Sequence, residues 1–252
     1  MEDMLYQAIY KRKSIRKFVM DALPQATLDE VLSFAGNAKP LADGFKYEFA
    51  ILGATDVNNL LPNRAPHYLC LYSDKKDGYL MNAGYVLQQV DLLLSMRGLG
   101  CCWLGIAKPN KKFPTQRNGL DYVIMLAFGA PAEPLYRENV SEFRRKSMEE
   151  ITDLAGIETL LEPVRIAPSA SNSQAWFFTG KPDEILACRS KLNLVKAAMY
   201  GKINQIDMGI ALYHLELSAG HLGKTARFDF QEEKAAGGYE FMARVLISDA
   251  KA

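Results

Sequence analysis

The sequence predicts an α+β protein, a sheet sandwich with helical layers rather than a doubly wound parallel sheet. Three observations carry this reading. Strand-like and helical runs are interspersed without regular βα spacing. Two long helix patterns, at 82–97 and 205–219, dominate the periodicity. Two stretches in opposite halves, 38–100 and 167–223, repeat one order of turn, strand, helix and strand.

The elements follow in chain order. An opening helix covers about Asp3 to Lys11 and gives way to a basic turn. Thr27 is placed to cap a helix from Leu28 to Ala35, with Glu30 at the capping-box position. Strands are expected at Lys46 to Leu52, His67 to Tyr72, Tyr122 to Phe128, Trp176 to Phe178, Lys224 to Phe230 and Glu240 to Ile247. Between them, Ala83, Val86, Leu87, Val90, Leu93 and Leu94 recur at helical spacing, while Gln88, Gln89 and Asp91 fall elsewhere on the wheel. The second long helix aligns with the first through Gly84/Gly209 and Asp91/Glu216, with a short gap before its glycine stop. Chance likeness between two apolar helices is the alternative, and the ordered succession around them favours duplication. Lys108 to Asp121 reads as a surface excursion. The halves fall at 1–134 and 151–252, joined by 135–150, and a pseudo-twofold relation between them is the expectation.

Composition excludes several classes. A chain of 252 residues, 49% hydrophobic, can bury one large or two joined cores. Thirty basic residues against twenty-nine acidic ones leave a net charge of +1, so neither a nucleic-acid tail nor a polybasic membrane anchor is indicated. Met1-Glu2-Asp3 is acidic where a signal peptide is basic, and no apolar run reaches a membrane span, which predicts a soluble, cytoplasmic protein. Cys70 lies in a strand-like run, Cys101 and Cys102 follow a glycine turn, and Cys188 reads as helical. Adjacent cysteines do not form an ordinary disulfide, and four scattered cysteines with three isolated histidines make no metal ladder. Cys101 as a redox nucleophile has no assignable basic partner, which favours burial.

The chemical signals are polar and basic. Lys11 to Phe18 joins five long cations, the Ser14 hydroxyl and an apolar anchor, a set able to grip a phosphate and a polyol or to form a solvated turn. Arg144-Arg145-Lys146 stands before a helix signal at Ser147 to Ile151, where helix amides and Arg145 would share an anion. Pro168 bends the chain ahead of Ser169, Asn172 and Gln174, and Trp176 resumes a strand. Gly98, Gly100 and Gly105 permit close backbone approach or simply end a helix. Trp103 and Trp176 line a cavity or fill apolar volume, and His67, His214 and His221 have no catalytic pairing.

Four segments resemble motifs of the FMN-dependent nitroreductases. Arg12-Lys13-Ser14-Ile15-Arg16-Lys17-Phe18 resembles the N-terminal Arg-Arg-Ser-hydrophobic-Arg-x-Phe motif. Gly98 to Gly105 resembles Gly-Leu-Gly-x-x-Trp-hydrophobic-Gly, and Arg145 to Ile151 resembles Arg-Lys-Pro-Leu-Glu-Glu-Ile. Ala167 to Trp176 resembles Ala-Pro-Ser-x-x-Asn-x-Gln-Pro-Trp. Family members usually carry the last motif soon after the N-terminal arginines and lend it to a partner subunit. In this chain that place, Gly36 to Leu41, is degenerate, and the good copy follows residue 165.

The resemblance therefore implies an internally duplicated, pseudo-dimeric nitroreductase-like protein: an α/β/α sandwich with a mixed, largely antiparallel sheet. Both halves would build one FMN site, and the chain would work as a monomer mimicking a homodimer. Arg12, Lys13, Ser14, Arg16 and Arg145 are implied on the phosphate and ribityl side, Pro168, Ser169 and Asn172 on the flavin edge, and Leu104 or Gly105 as a backbone contact. NADH or NADPH would be the transient donor and a flat nitroaromatic or quinone the acceptor, in a ping-pong cycle without a dedicated catalytic side chain or metal. Flavin-dependent reductive dehalogenation and non-catalytic FMN binding are the alternatives.

Overall fold

The structure, a computed structural model, describes residues 1–60, 62–192, 200–231, 233, 235 and 237–250. In chain order its helices are α1 (Glu2–Ile9), α2 (Gln25–Gly36), α3 (Tyr79–Met96), α4 (Glu158–Arg165) and α5 (Ile203–His221). Its strands are β1 (Tyr47–Gly53), β2 (Val57–Asn58), β3 (His67–Ser73), β4 (Gly100–Leu104), β5 (Lys108–Pro109), β6 (Gln116–Arg117), β7 (Leu120–Gly129), β8 (Trp176–Lys181), β9 (Glu184–Ser190), β10 (Lys224–Asp229) and β11 (Tyr239–Asp249). The chain divides into two compact units, one of residues 11–138 and one of residues 1–10 with 139–252.

In the unit 11–138 the sheet runs β1-β3-β7-β4, with β6 added to β7, and every ladder is antiparallel. β3 (HYLCLYS) is buried at all positions and sits between β1 and β7, as a strand covered on both faces must. The other unit's sheet runs β10-β11-β9-β8, again antiparallel throughout. Counted within each unit, both sheets have the order first, second, fourth, third, and the long helix connects second to third in both. The α+β expectation is met. Parallel pairing among the described residues is confined to the isolated bridges Ser14–Cys101 and Thr152–Phe178.

Several local expectations are corrected. α2 starts before Thr27, because the Pro24 carbonyl accepts the amides of Thr27 and Leu28 and no side chain caps it. Gly100 to Leu104 is a strand rather than a glycine loop, and Cys188 lies in β9, where alternating burial of Ile185 and Ala187 marks a strand face. The excursion at 108–121 contains β5, β6 and the start of β7. Ser147 to Ile151 is one turn, not a helix: Ile151 and Thr152 donate back to the Met148 carbonyl, and Ile151 then accepts the Phe178 amide from β8. No helix among the described residues is long and apolar enough to cross a membrane.

The two long helices are buried more completely than their wheels suggest. Every residue from Leu80 to Ser95 is buried, including Gln89 and Asp91. In α5, Asp207, His214 and Ser218 are buried as well. An unmade hydrogen bond at such a site costs about 1–3 kcal/mol, so these polar groups must work as ties. Gln89 brackets Lys39, accepting its amide at 2.9 Å and donating to its carbonyl at 2.7 Å. His214 Nδ1 lies 2.7 Å from the Pro163 carbonyl, joining α5 to α4.

Candidate functional site

The basic segment after α1 is an extended ribbon rather than a turn. On one side the Ile15 amide donates to the Cys101 carbonyl of β4 at 2.9 Å. On the other, Arg137 and Ala132 donate backbone amides to Lys11 and Lys17, and Val19 donates to Ala130. Arg12, Ile15 and Phe18 are consequently buried, while Arg16 and Lys17 are exposed and Lys13 and Ser14 lie between those extremes. Gly100 is required by this packing: a Cβ there would stand 2.8 Å from Ile15 Cγ2. The ribbon thus brings Arg12, Lys13, Ser14 and Arg16 alongside the β4 segment that ends in buried Leu104 and exposed Gly105.

Arg12 is the largest departure from a surface anion site. Its side chain is 2% exposed, and Nε lies 3.2 Å from Asp91 Oδ2 on α3. The Nε atom nonetheless lacks a well-aligned hydrogen bond, so the contact is an ion pair rather than a linear bridge. Asp91 Oδ2 also accepts the Trp103 indole N–H at 3.2 Å, and Arg12 Nη2 donates to Ser14 Oγ at 3.3 Å. The Arg12 carbonyl is held by the Arg137 guanidinium. The Cys101 thiol is pushed well above its ordinary value by burial and then by Asp91, which leaves no thiolate to act as a nucleophile. Outside this buried network, Glu133 accepts the backbone amides of Arg16 at 2.6 Å and Lys17 at 3.1 Å. Those bonds, the Arg16 amide first, hold its carboxyl below the usual range.

In the other unit, Arg145 and the turn after Pro168 are knitted together. Arg145 Nε donates to the Ala167 carbonyl at 3.0 Å, and Nη1 donates to Phe143 O at 2.8 Å and to Asn172 Oδ1 at 2.5 Å. Asn172 Nδ2 returns a bond to Arg144 O at 3.0 Å. Lys146 closes the pair from both sides, its amide on Gln174 Oε1 and its ammonium on Gln174 O. Ser169 Oγ accepts the Gln174 amide at 3.0 Å, while Pro168 is buried at the bend.

This knot concentrates backbone strain. Among the described residues five non-glycines have positive φ, and four of them, Arg144, Ser171, Asn172 and Gln174, are here. Left-handed geometry costs about 1–2 kcal/mol per ordinary residue, less for asparagine. Hydrogen bonds to charged groups contribute about 1.5–3 kcal/mol each, so the Arg145 and Lys146 ties are sufficient to hold it. Strain of this kind concentrates at functional sites.

Both long helices grip the loop ahead of their unit's first sheet strand through a matching side chain. Asn82 Oδ1 on α3 accepts the Leu41 amide at 2.9 Å, and Asp207 Oδ1 on α5 accepts the Ala170 amide at 3.0 Å. The second polar atoms, Asn82 Nδ2 and Asp207 Oδ2, are both buried without a hydrogen-bond partner among the described residues. Burial raises the Asp207 carboxyl from 3.8 to about 7, against the lowering effect of the Ala170 amide. Sequence reasoning singled out neither residue, although the register that pairs Gly84 with Gly209 also pairs Asn82 with Asp207. It had no signal for Asp91 as a partner of Arg12, because that contact arises only when the ribbon docks. Of the histidines, His67 accepts the Leu23 amide at 2.9 Å and His221 pairs with Asp3 at 2.9 Å. The Trp103 indole is satisfied by Asp91, and the Trp176 indole N–H is buried without a partner among the described residues.

Comparison with known proteins agrees with this architecture. Residues 4–219 match the family described as "Putative TM nitroreductase". The crystal structure of a "putative nitroreductase" from Thermotoga maritima is 20% identical, with a TM-score of 0.62 over 96% of this chain and 93% of that one. A nitroreductase family protein from Clostridium novyi NT is also 20% identical, but covers 51% of this chain and 86% of its own, with a TM-score of 0.43. No curated protein matches. The α+β sandwich is thus the nitroreductase-like fold, and the chain belongs to that nitroreductase family of oxidoreductases.

Proposed function

We propose that this chain is an FMN-dependent oxidoreductase that takes electrons from NADH or NADPH and reduces flat acceptors such as nitroaromatics or quinones in a ping-pong cycle. The observation that carries this reading is the strained Ser169–Gln174 turn locked to Arg145, in a chain whose family is nitroreductase. Bound FMN would supply hydride acceptance and donation at its ring system. The duplication reading is supported by the shared sheet order and by the Asn82/Asp207 match, and the degenerate 36–41 copy favours one flavin per chain over two.

The residues fit that cofactor in graded fashion. Lys13, Ser14 and Arg16 offer cations and a hydroxyl with exposed or half-exposed side chains, suited to a phosphate and ribityl chain. Arg12, neutralised by Asp91, contributes by fixing the ribbon and Ser14. Arg145 shapes the turn and adds positive charge to it. Ser169 keeps its hydroxyl proton, since its oxygen accepts from Gln174, and is therefore a donor to the flavin edge. Asn172, bonded at both ends, and buried Pro168 set the shape of that edge. Exposed Gly105, beyond buried Leu104, leaves the backbone approachable.

Titration of the purified protein with FMN and riboflavin, followed by NAD(P)H oxidation with a quinone and a nitroaromatic, tests the proposal. FMN should bind more tightly than riboflavin, and turnover should need both donor and acceptor. FMN binding with no NAD(P)H oxidation would leave a flavin-binding protein and overturn the enzymatic reading.

A further inference from the structure

Asp207 is a buried acid on a helix whose matching position in the other unit is an amide. Its carboxylate and the Asn82 amide hold their loops by the same bond, one side-chain oxygen on one backbone N–H, with the second atom buried and without a partner among the described residues. Asparagine suffices for that grip, so the carboxyl adds one property: it can gain or lose a proton. The loop it holds is the strained Ser169–Gln174 turn, whereas the loop under Asn82 has no non-glycine residue with positive φ.

We propose that Asp207 is a positioning residue that makes the Ser169–Gln174 turn responsive to protonation, tightening the Ala170 tie when ionised and loosening it when neutral. This rests on the reading of that turn as part of the flavin site. An ionised acceptor makes a shorter and stronger bond to a backbone amide than a neutral one. The neutral carboxyl keeps an acceptor oxygen but adds an O–H that has no partner at Oδ2 among the described residues. The carboxyl is pushed up to about 7 by burial, which puts the change within the neutral range.

Among the described residues no nearby charge accounts for this behaviour. α5 packs against α1, α4, β10 and the Ala170–Asn172 turn. Those elements carry Glu2 and Asp3, then Glu158, Glu162 and Arg165, then Lys224, Arg227 and Asp229, while α5 itself carries His214, Glu216 and His221. Arg165 is bonded to Glu162, His221 to Asp3 and Lys224 to Asp249. Burial raises the carboxyl and the Ala170 amide opposes it, with none of these side chains contributing.

The test follows the Ala170 amide by NMR from pH 5.5 to 8.5, with the Leu41 amide as the internal control, in the wild type and in Asp207→Asn. The Ala170 resonance should titrate with a midpoint near 7, with Leu41 flat and Ala170 flat in Asp207→Asn. An Ala170 resonance that does not titrate, or that still titrates in Asp207→Asn, would overturn the proposal. FMN affinity is then compared at pH 6 and pH 8. The wild-type ratio should exceed that of Asp207→Asn about two- to fivefold, a comparison that cancels ionisation of the phosphate itself. Equal ratios beside a titrating Ala170 would overturn the link from turn to flavin while leaving the titrating tie standing.

Discussion

The loop at 38–41 and the turn at 167–174 occupy the same place in their units and are held by the same helix position, yet only one is built like a site. The first is tied by Asn82, by Gln89 on Lys39, and by the Tyr47 hydroxyl on the Ala38 carbonyl at 2.6 Å. None of its non-glycine residues has positive φ, and these three ties are neutral. The second uses Asp207, Arg145 and Lys146, and keeps three residues of the turn in left-handed geometry. Shared anchoring thus separates what the fold needs from what one copy adds. The added features are charge and strain, the two that stability alone would select against.

The comparison can be broken first at the helices. Asp91→Ala leaves the Arg12 guanidinium buried and uncompensated, which should destabilise by about 3–5 kcal/mol in urea unfolding. Its aligned counterpart Glu216 is only partly buried, and Glu216→Ala should change stability by less than about 1 kcal/mol. Similar losses for the two variants would remove the asymmetry.

Asp207→Asn should act in the opposite direction and depend on pH. A carboxyl raised from 3.8 to about 7 binds its proton more tightly in the folded state. The associated stability is full below about pH 4 and is lost as pH climbs through 7, with a ceiling of about 4 kcal/mol. Above pH 8 the variant should therefore be the more stable protein, and at pH 4 the two should converge. Denaturant midpoints at those pH values check the sign, and a wild type that gains stability between pH 5 and 8 relative to the variant would refute it.

Arg145→Ala should weaken FMN binding by about 1.5–3 kcal/mol, because the turn loses its charged ties. Circular dichroism establishes whether the variant is folded, and flavin fluorescence measures the affinity. Unchanged binding in a folded variant would detach the turn from the cofactor. Gly100→Ala is expected to cost about 1–3 kcal/mol, since Ile15 must move to admit a methyl group.

Most of this fold was legible because its signals are local. The buried run His67 to Ser73, the alternation in β1 and β11, and the two long helices follow from residue type and spacing. β4 and β9 escaped because Gly-Cys-Cys-Trp-Leu is short and glycine-bounded, and because Glu-Ile-Leu-Ala-Cys-Arg-Ser suits a helix as well as a strand. The turn at 147–151 begins as a helix would, but its exit is captured by Phe178 of β8, a contact that no local window contains. The candidate residues were readable as motifs, while their duties were not. That Arg12 spends its charge on Asp91, and that Ser171 and Gln174 adopt positive φ, depend on packing between distant segments.

The most direct measurement is an anaerobic titration of FMN-loaded protein with NADH and, separately, NADPH, monitored by flavin absorbance. The account predicts one FMN per chain, bleached by one equivalent of at least one nucleotide and restored by a quinone or a nitroaromatic. Two flavins per chain, or a bound flavin that neither nucleotide bleaches, would contradict it.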